Sequence, residues 1–191
     1  MRQHQPSLAD DAPDALRGAF LEAMSHTAAS VSIVTTDGAA GRAGVTVSAT
    51  ASVSADTPAP SLLVCINRLS SACPAILSNG VFCVNMLRDD QAYISDTFAG
   101  RIQTPDGDKF SCTEWAALRT GAPRVVDLLV AFDCRLTHCE LFGTHHVMFG
   151  EVEDIFIAQQ GLPLIYANRA YGTPSRLEPA ALGPRKRIST F

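Results

Sequence analysis

The spacing of the β-forming runs constrains this chain most. Such runs stand at SVSIVTT (30–36), GVTVSATASVS (44–54), SLLVCIN (61–67), VFCVNML (81–87), VVDLLVAFDCRLTHCEL (125–141), HHVMFGEVEDIFIA (145–158) and LPLIYAN (162–168). They are rich in β-branched and apolar residues and are bounded by Gly, Pro, Asn and Asp, as strands are. Helical patterns fall between only some of them. Pro13 and Asp14 open one, with Leu16, Phe20, Ala23 and Met24 on one face. A second, SSACPAILSNG (70–80), closes at Asn79-Gly80, and a third, RDDQAYISDTFAG (88–100), ends on glycine. A short helix is expected near Trp115. Strands without a steady β-α-β alternation predict a mostly β fold, an antiparallel barrel with peripheral helices.

A length of 191 residues suits one domain. A chain of this size buries roughly 70% of its unfolded surface, so it needs neither disulfides nor metal to fold. We place the domain at residues 13–172, between a polar, mobile N-terminal tail (1–12) and a C-terminal tail (173–191) with a basic cluster at Arg185, Lys186 and Arg187. The formal net charge of −4 argues against a nucleic-acid partner. No apolar run reaches the roughly 18 residues of a membrane span, and the N-terminus has no apolar signal core. A cytoplasmic protein is expected. The cysteines at 65, 73, 83, 112, 134 and 139 show no C-x2-C pairing, so no metal site is expected. Several lie inside apolar runs and read as buried free thiols.

Several segments offer polar chemistry, each with an ordinary structural alternative. Read as one strand, GVTVSATASVS places Thr46, Ser48, Thr50 and Ser52 on one face and Val45, Val47, Ala49 and Ala51 on the other. That hydroxylated face is either a solvated surface or a bed on which a flat ligand lies close to the backbone. Asn67, Arg68, Ser70 and Ser71 precede a helix, as a phosphate site or a serine N-cap would. SDTFAGR (95–101) either wraps a ligand edge or caps a helix. Of His145 and His146 only one can face inward. Tyr171, beyond the last strand, either stacks on a ring or covers the core edge. The chain has no G-x-G-x-x-G, no P-loop and no G-x-S-x-G elbow, so dinucleotide-fold and serine-hydrolase readings have no motif to rest on.

Taken in order, these segments resemble the short-chain flavin reductases, the reductase components of two-component flavin monooxygenases. The likeness runs from about Phe20 to Gly172. It includes SVSIVTTDG, GVTVSATASVS, TPAPSLLVCINRLSS, FCVNML, SDTFAGR, GTHHVMFGEV and PLIYANRAY. It is nearest in kind to the 4-hydroxyphenylacetate 3-monooxygenase and pyrimidine-utilisation reductases. The resemblance implies an FMN-binding split β-barrel and a homodimer with flavin at the subunit interface. It also implies FMN or FAD reduced by NADH or NADPH, and transient delivery of reduced flavin to a monooxygenase. By position, Thr46, Val47, Ser48, Ala49 and Ser52 would line the isoalloxazine and ribityl chain. Asn67, Ser70 and Ser71 would hold the ribityl–phosphate end, and Phe98, Ala99, Gly100 and Arg101 would close over the flavin's far end. Gly143–Gly150 matches the family's G-D-H-x-x-x-x-G motif, with Thr144 in place of Asp and His145 as the catalytic histidine. Tyr171 would stand on the nicotinamide side. Two rival expectations keep the same barrel: a flavin-dependent cob(II)yrinate diamide reductase, and a non-enzymatic flavin- or haem-binding module.

Overall fold

The computed structural model describes residues 11–177; residues 1–10 and the basic cluster at 185–187 lie outside the described part. Chain order begins with helix α1 (Asp11–Ser25) and strands β1 (Ala29–Ser30), β2 (Ser32–Thr36), β3 (Ala43–Val47), β4 (Thr50–Ser54) and β5 (Ser61–Asn67). It continues with α2 (Ala72–Asn79), β6 (Val81–Met86), α3 (Ala92–Phe98) and a 3-10 turn at Lys109–Cys112. The last part holds β7 (Trp115–Ala117), β8 (Pro123–Val125), β9 (Val130–Phe142), β10 (His145–Ile157), β11 (Ile165–Ala167) and β12 (Ala170–Gly172).

The mostly β expectation holds. A seven-stranded sheet runs β3-β2-β6-β9-β10-β5-β4, with every pairing antiparallel. β3 and β4 are consecutive in the chain yet occupy opposite edges. Only Ser48 and Ala49 join them, a reach of roughly 11 Å for three extended steps. The sheet must therefore curl until its edges nearly touch. The ring of strand ladders stays open at this point, where Cys65 N donates to Ala49 O at 3.0 Å.

This junction corrects one sequence reading. GVTVSATASVS is two strands with a break at Ser48–Ala49, and its hydroxyls do not share a face. Thr46 pairs with Ile33, and its hydroxyl reaches the carbonyl of Ser95 on α3. Thr50 and Ser52 pair with Val64 and Leu62, which belong to the opposite core layer. Period-two counting fails because the chain changes sheet edge between the two halves.

Two apolar layers sit on the two faces of the sheet. Inside the curl, Val34, Val64, Ile66, Phe82, Val84 and Met148 pack under α2. Outside it, Ile33, Cys83, Ile94, Phe98, Phe110 and Leu128 join the sheet to α3 and to the β7–β8 hairpin. Glycine makes two of these approaches possible. A Cβ on Gly44 would lie 2.6 Å from the Phe98 ring, and one on Gly150 would lie 2.5 Å from the Phe82 ring. Asn85, wholly buried, ties the β7–β8 hairpin to the sheet. Its amide donates to Ile33 O at 3.1 Å, and its Oδ1 accepts from Val125 N at 2.9 Å.

Other boundaries differ from expectation. α1 begins at Asp11, so residues 11–12 belong to a helix and Pro13 sits in its first turn, where a missing N–H costs nothing. Leu16 is 74% exposed and Phe20 60%: the apolar face of α1 meets no core. The helix is held at its end, where Ser25 O accepts from Asn168 N and Glu22 pairs with Arg169. The short helix expected near Trp115 is the 3-10 turn Lys109–Cys112, and Trp115 itself opens strand β7, which pairs with β8. The run 125–141 is broken by Val126–Leu129 between β8 and β9.

Candidate active site

The small side chains at the end of β3 form the floor of a groove. On one side, Thr46, Val47 and Ser48 join Ser95, Ala99, Arg101, Tyr166 and Tyr171 around a recess of about 220 Å³. On the other, the same three residues join Ala49, Cys65, Asn67 and His145 around one of about 190 Å³. β3 is an edge strand, so the backbone groups on its outer side have no strand partner, and short side chains leave them within reach of an occupant.

Local chemistry places each wall. The register sets His145 opposite Asn67, and Arg68 N donates to Thr144 O at 3.0 Å, which locks the β9–β10 turn against the end of β5. Asn67 Oδ1 accepts from Leu69 N at 2.9 Å and shapes the turn into α2. Thr144 Oγ1 lies 3.0 Å from His145 Nδ1, which fixes the ring and leaves Nε2 without a protein partner among the described residues. His146 points the other way, with Nδ1 3.2 Å from Cys139 Sγ on the inner side of the sheet.

The opposite wall is a polar knot. The Tyr171 hydroxyl lies 2.8 Å from Asp96 Oδ1, to which it donates, and 2.9 Å from Ser95 Oγ. Arg101 Nη1 donates to the same Asp96 oxygen at 2.9 Å and to the Tyr171 oxygen at 3.1 Å. Partial burial, first, and the Asp96 carboxylate push the Tyr171 phenol above its ordinary value, so it stays protonated. Tyr166 packs edge-on against Tyr171 at 5.4 Å.

The structure thus brings together Thr46, Val47, Ser48, Ala49, Asn67, Ala99, Arg101, His145 and Tyr171. Five expected residues stand apart from this groove. The Phe98 ring is 1% exposed and packs edge-on against Phe110 and Trp115, so its bulk serves the core. Gly100 opens onto a neighbouring recess with Lys109. Ser52 lines an apolar groove with Thr50, Leu62, Phe132 and Ile155. Ser71 begins α2 without a side-chain cap, while Ser70 Oγ accepts from Ala72 N at 3.3 Å. Sequence reasoning missed Ser95 and Asp96. Their signal was present, an acid five residues before an arginine across a helix end, but only the fold shows that both meet Tyr171. A larger recess of about 560 Å³, between the Thr57–Ala59 loop and β9–β10, is shallower and is not joined to the groove.

Five of the six thiols are chemically quiet. Burial raises the pKa of Cys73, Cys83, Cys112 and Cys139, and pushes Cys134 up to about 12.

An open, mostly antiparallel sheet with a groove at the junction of its two edges defines a class, and comparison with known proteins places the chain in it. A family model described as a flavin reductase like domain matches residues 24–175, and the chain belongs to that family. Among curated relatives, an FMN reductase (NADH) RutF 1 of Methylorubrum extorquens is 45% identical over 166 residues, covering 87% of this chain and 81% of that protein. The FMN reductase (NADH) RutF of Ancylobacter novellus is 45% identical over 167 residues, covering 85% and 90%. Among solved structures, BorF, the flavin reductase component of a bacterial two-component tryptophan halogenase, superposes with a TM-score of 0.71 at 28% identity, covering 86% of this chain and 99% of that one.

Proposed function

We propose that this protein is an NADH-dependent FMN reductase that works as a homodimer in the cytoplasm and hands reduced flavin to a separate flavin-dependent monooxygenase. The observation that carries the reading is the continuous groove over Thr46–Ser48, with Arg101 and Tyr171 on one side and Asn67 and His145 on the other. Its residues fit a flavin. A flat ring needs a floor without bulk, and its carbonyl and nitrogen edges need hydrogen-bond groups at the rim. When bound, the flavin supplies the hydride-accepting centre; the protein supplies binding, orientation and electrostatics.

The floor keeps one ring face open, so that a nicotinamide can stack within the roughly 3–3.5 Å that hydride transfer needs. Asn67 receives the ribityl end, and the phosphate extends out of the groove toward Ser70 and Ser71 at the start of α2. His145, held by Thr144, orients the reductant through Nε2. Both recesses stand half open to solvent along the edge strand β3, which supports completion by a second copy. The uncovered α1 residues Leu16, Phe20 and Met24 give that copy apolar surface to bury. The relatives' names supply the choice of FMN and NADH.

The test is anaerobic stopped-flow mixing of FMN-loaded protein with NADH and with NADPH. Rapid bleaching of the flavin by NADH is expected, and absence of NADH oxidation with either FMN or FAD would sink the reading. His145→Ala is expected to slow reduction by about a hundredfold, the loss that misplacement of a reacting group brings, and to change FMN affinity far less. Size-exclusion chromatography with light scattering checks the dimer.

A further inference from the structure

Asp96 lies next to the groove but does not line it, and no binding role above needs it. Its carboxylate is nonetheless the hub of the Arg101–Tyr171 wall. One oxygen, Oδ1, accepts from Arg101 Nη1 at 2.9 Å and from the Tyr171 hydroxyl at 2.8 Å. The Asp96 carbonyl oxygen also accepts from Arg101 N at 2.8 Å, so the turn that delivers Arg101 is tied to the same residue. The Asp96 side chain is 25% exposed and that of Arg101 56%. Among the described residues, Nε and Nη2 of Arg101 meet no acceptor, which leaves them for the occupant of the groove.

Resting on the flavin reading, we propose that Asp96 is a positioning and charge-balancing residue. It holds Arg101 and Tyr171 against the groove and cancels the arginine's charge, so that the site does not grip the reduced, anionic product. The reaction makes this matter. A hydride leaves the nicotinamide as its C–H bond breaks and forms an N–H bond on neutral oxidised flavin. The products are oxidised nicotinamide and a flavin with one added negative charge. A lone arginine on the wall would favour that anion over the neutral oxidised form. One unbalanced charge about 10 Å away, at an effective dielectric of about 20, is worth roughly tenfold in an equilibrium. A protein that must release reduced flavin works against that preference. The hydrogen bond from Arg101 to Asp96 also raises the guanidinium pKa, as expected of a compensated pair.

Asp96→Asn tests this directly, because an amide oxygen still accepts from Tyr171 and Arg101 while the charge is gone. The reads are FMN affinity in both oxidation states under anaerobic conditions and the midpoint potential of bound FMN. Asp96→Asn is expected to tighten reduced over oxidised FMN by about tenfold, a rise of about 30 mV for a two-electron couple. kcat and the KM for FMN should fall together as product release slows. Arg101→Gln should shift the ratio the opposite way, and Asp96→Asn combined with Arg101→Gln should return it toward wild type. An Asp96→Asn ratio within twofold of wild type overturns the proposal. If Asp96→Asn does not fold, the Arg101→Gln ratio decides alone, and no shift there overturns it equally. Wild-type protein that binds FMN in neither state would instead overturn the flavin reading.

Discussion

The two halves of GVTVSATASVS make a controlled comparison. They are adjacent in sequence, alike in composition and both at sheet edges, yet they meet different surroundings. β3 is covered on its outer face by α3, and Gly44 lets the Phe98 ring approach it. Its hydroxyl at Thr46 is bonded to Ser95 O at 2.7 Å. β4 has no such cover, its central residues are exposed, and the buried Thr50 hydroxyl has no partner among the described residues. Two stretches with one composition thus carry different duties. The lesson is that an edge strand joins a polar recess when a neighbouring element braces it and supplies polar groups, not because it is small and hydroxylated.

Matched substitutions should sharpen that contrast. The largest expected effect is at Gly44. Gly44→Val forces a branched side chain into the Phe98 ring and should cost about 2–3 kcal/mol in urea unfolding. Ala51→Val on exposed β4 should stay within about 0.5 kcal/mol. Equal losses at the two sites would erase the distinction. Next is ligand access. Ser48→Leu should weaken FMN binding by about tenfold, roughly 1.4 kcal/mol, in a fluorescence titration. Ser52→Leu, on the other groove, should leave that titration unchanged.

The threonine pair tests the hydrogen bond itself. Thr46→Val removes one of two donors to the Ser95 carbonyl, which keeps Ala99 N at 2.9 Å, and should cost about 1 kcal/mol. Thr50→Val removes a buried hydroxyl without a partner among the described residues, so thermal melting should show no loss or a small gain.

The smallest effect concerns β9, in the middle of the sheet between the two edges. Asp133 is buried there, accepting from Thr120 N at 2.6 Å and Thr120 Oγ1 at 2.5 Å. Burial raises its carboxyl pKa above the ordinary value of 3.8, and the Thr120 bonds oppose the shift only in part. The folded state therefore holds this proton more tightly than the unfolded one. Its contribution to stability is fullest below the unfolded pKa and falls as pH rises through the folded value. Asp133→Asn should flatten that decline between acid and neutral pH, as followed by urea midpoints across the range. An unchanged slope would assign the pH dependence to other groups.

Much of this protein is readable without coordinates. SLLVCIN became β5 over the same seven residues, Ser61–Asn67, because a short apolar run bounded by Pro60 and Asn67 leaves little else to form. Strand alternation also requires that only one of His145 and His146 face inward, and the likeness to the family motif picked His145. The break at Ser48–Ala49 was not readable, since nothing local distinguishes it from continuing strand. Phe98 looked like a ligand contact because it shares the segment SDTFAGR with Ala99 and Arg101, which line the recess. Its own direction is set by Gly44, more than fifty residues away in sequence.

The order of strands, the want of crossover helices and the family motifs fixed the class of fold and the segments from which a site is built, because these depend on periodicity and local turn chemistry. Which side of the sheet each hydroxyl faces, and that Asp96 gathers Arg101 and Tyr171, were decided only in three dimensions. The physical reason is that a curled sheet joins edges distant in pairing order, and the resulting contacts depend on where the curl closes rather than on any local preference.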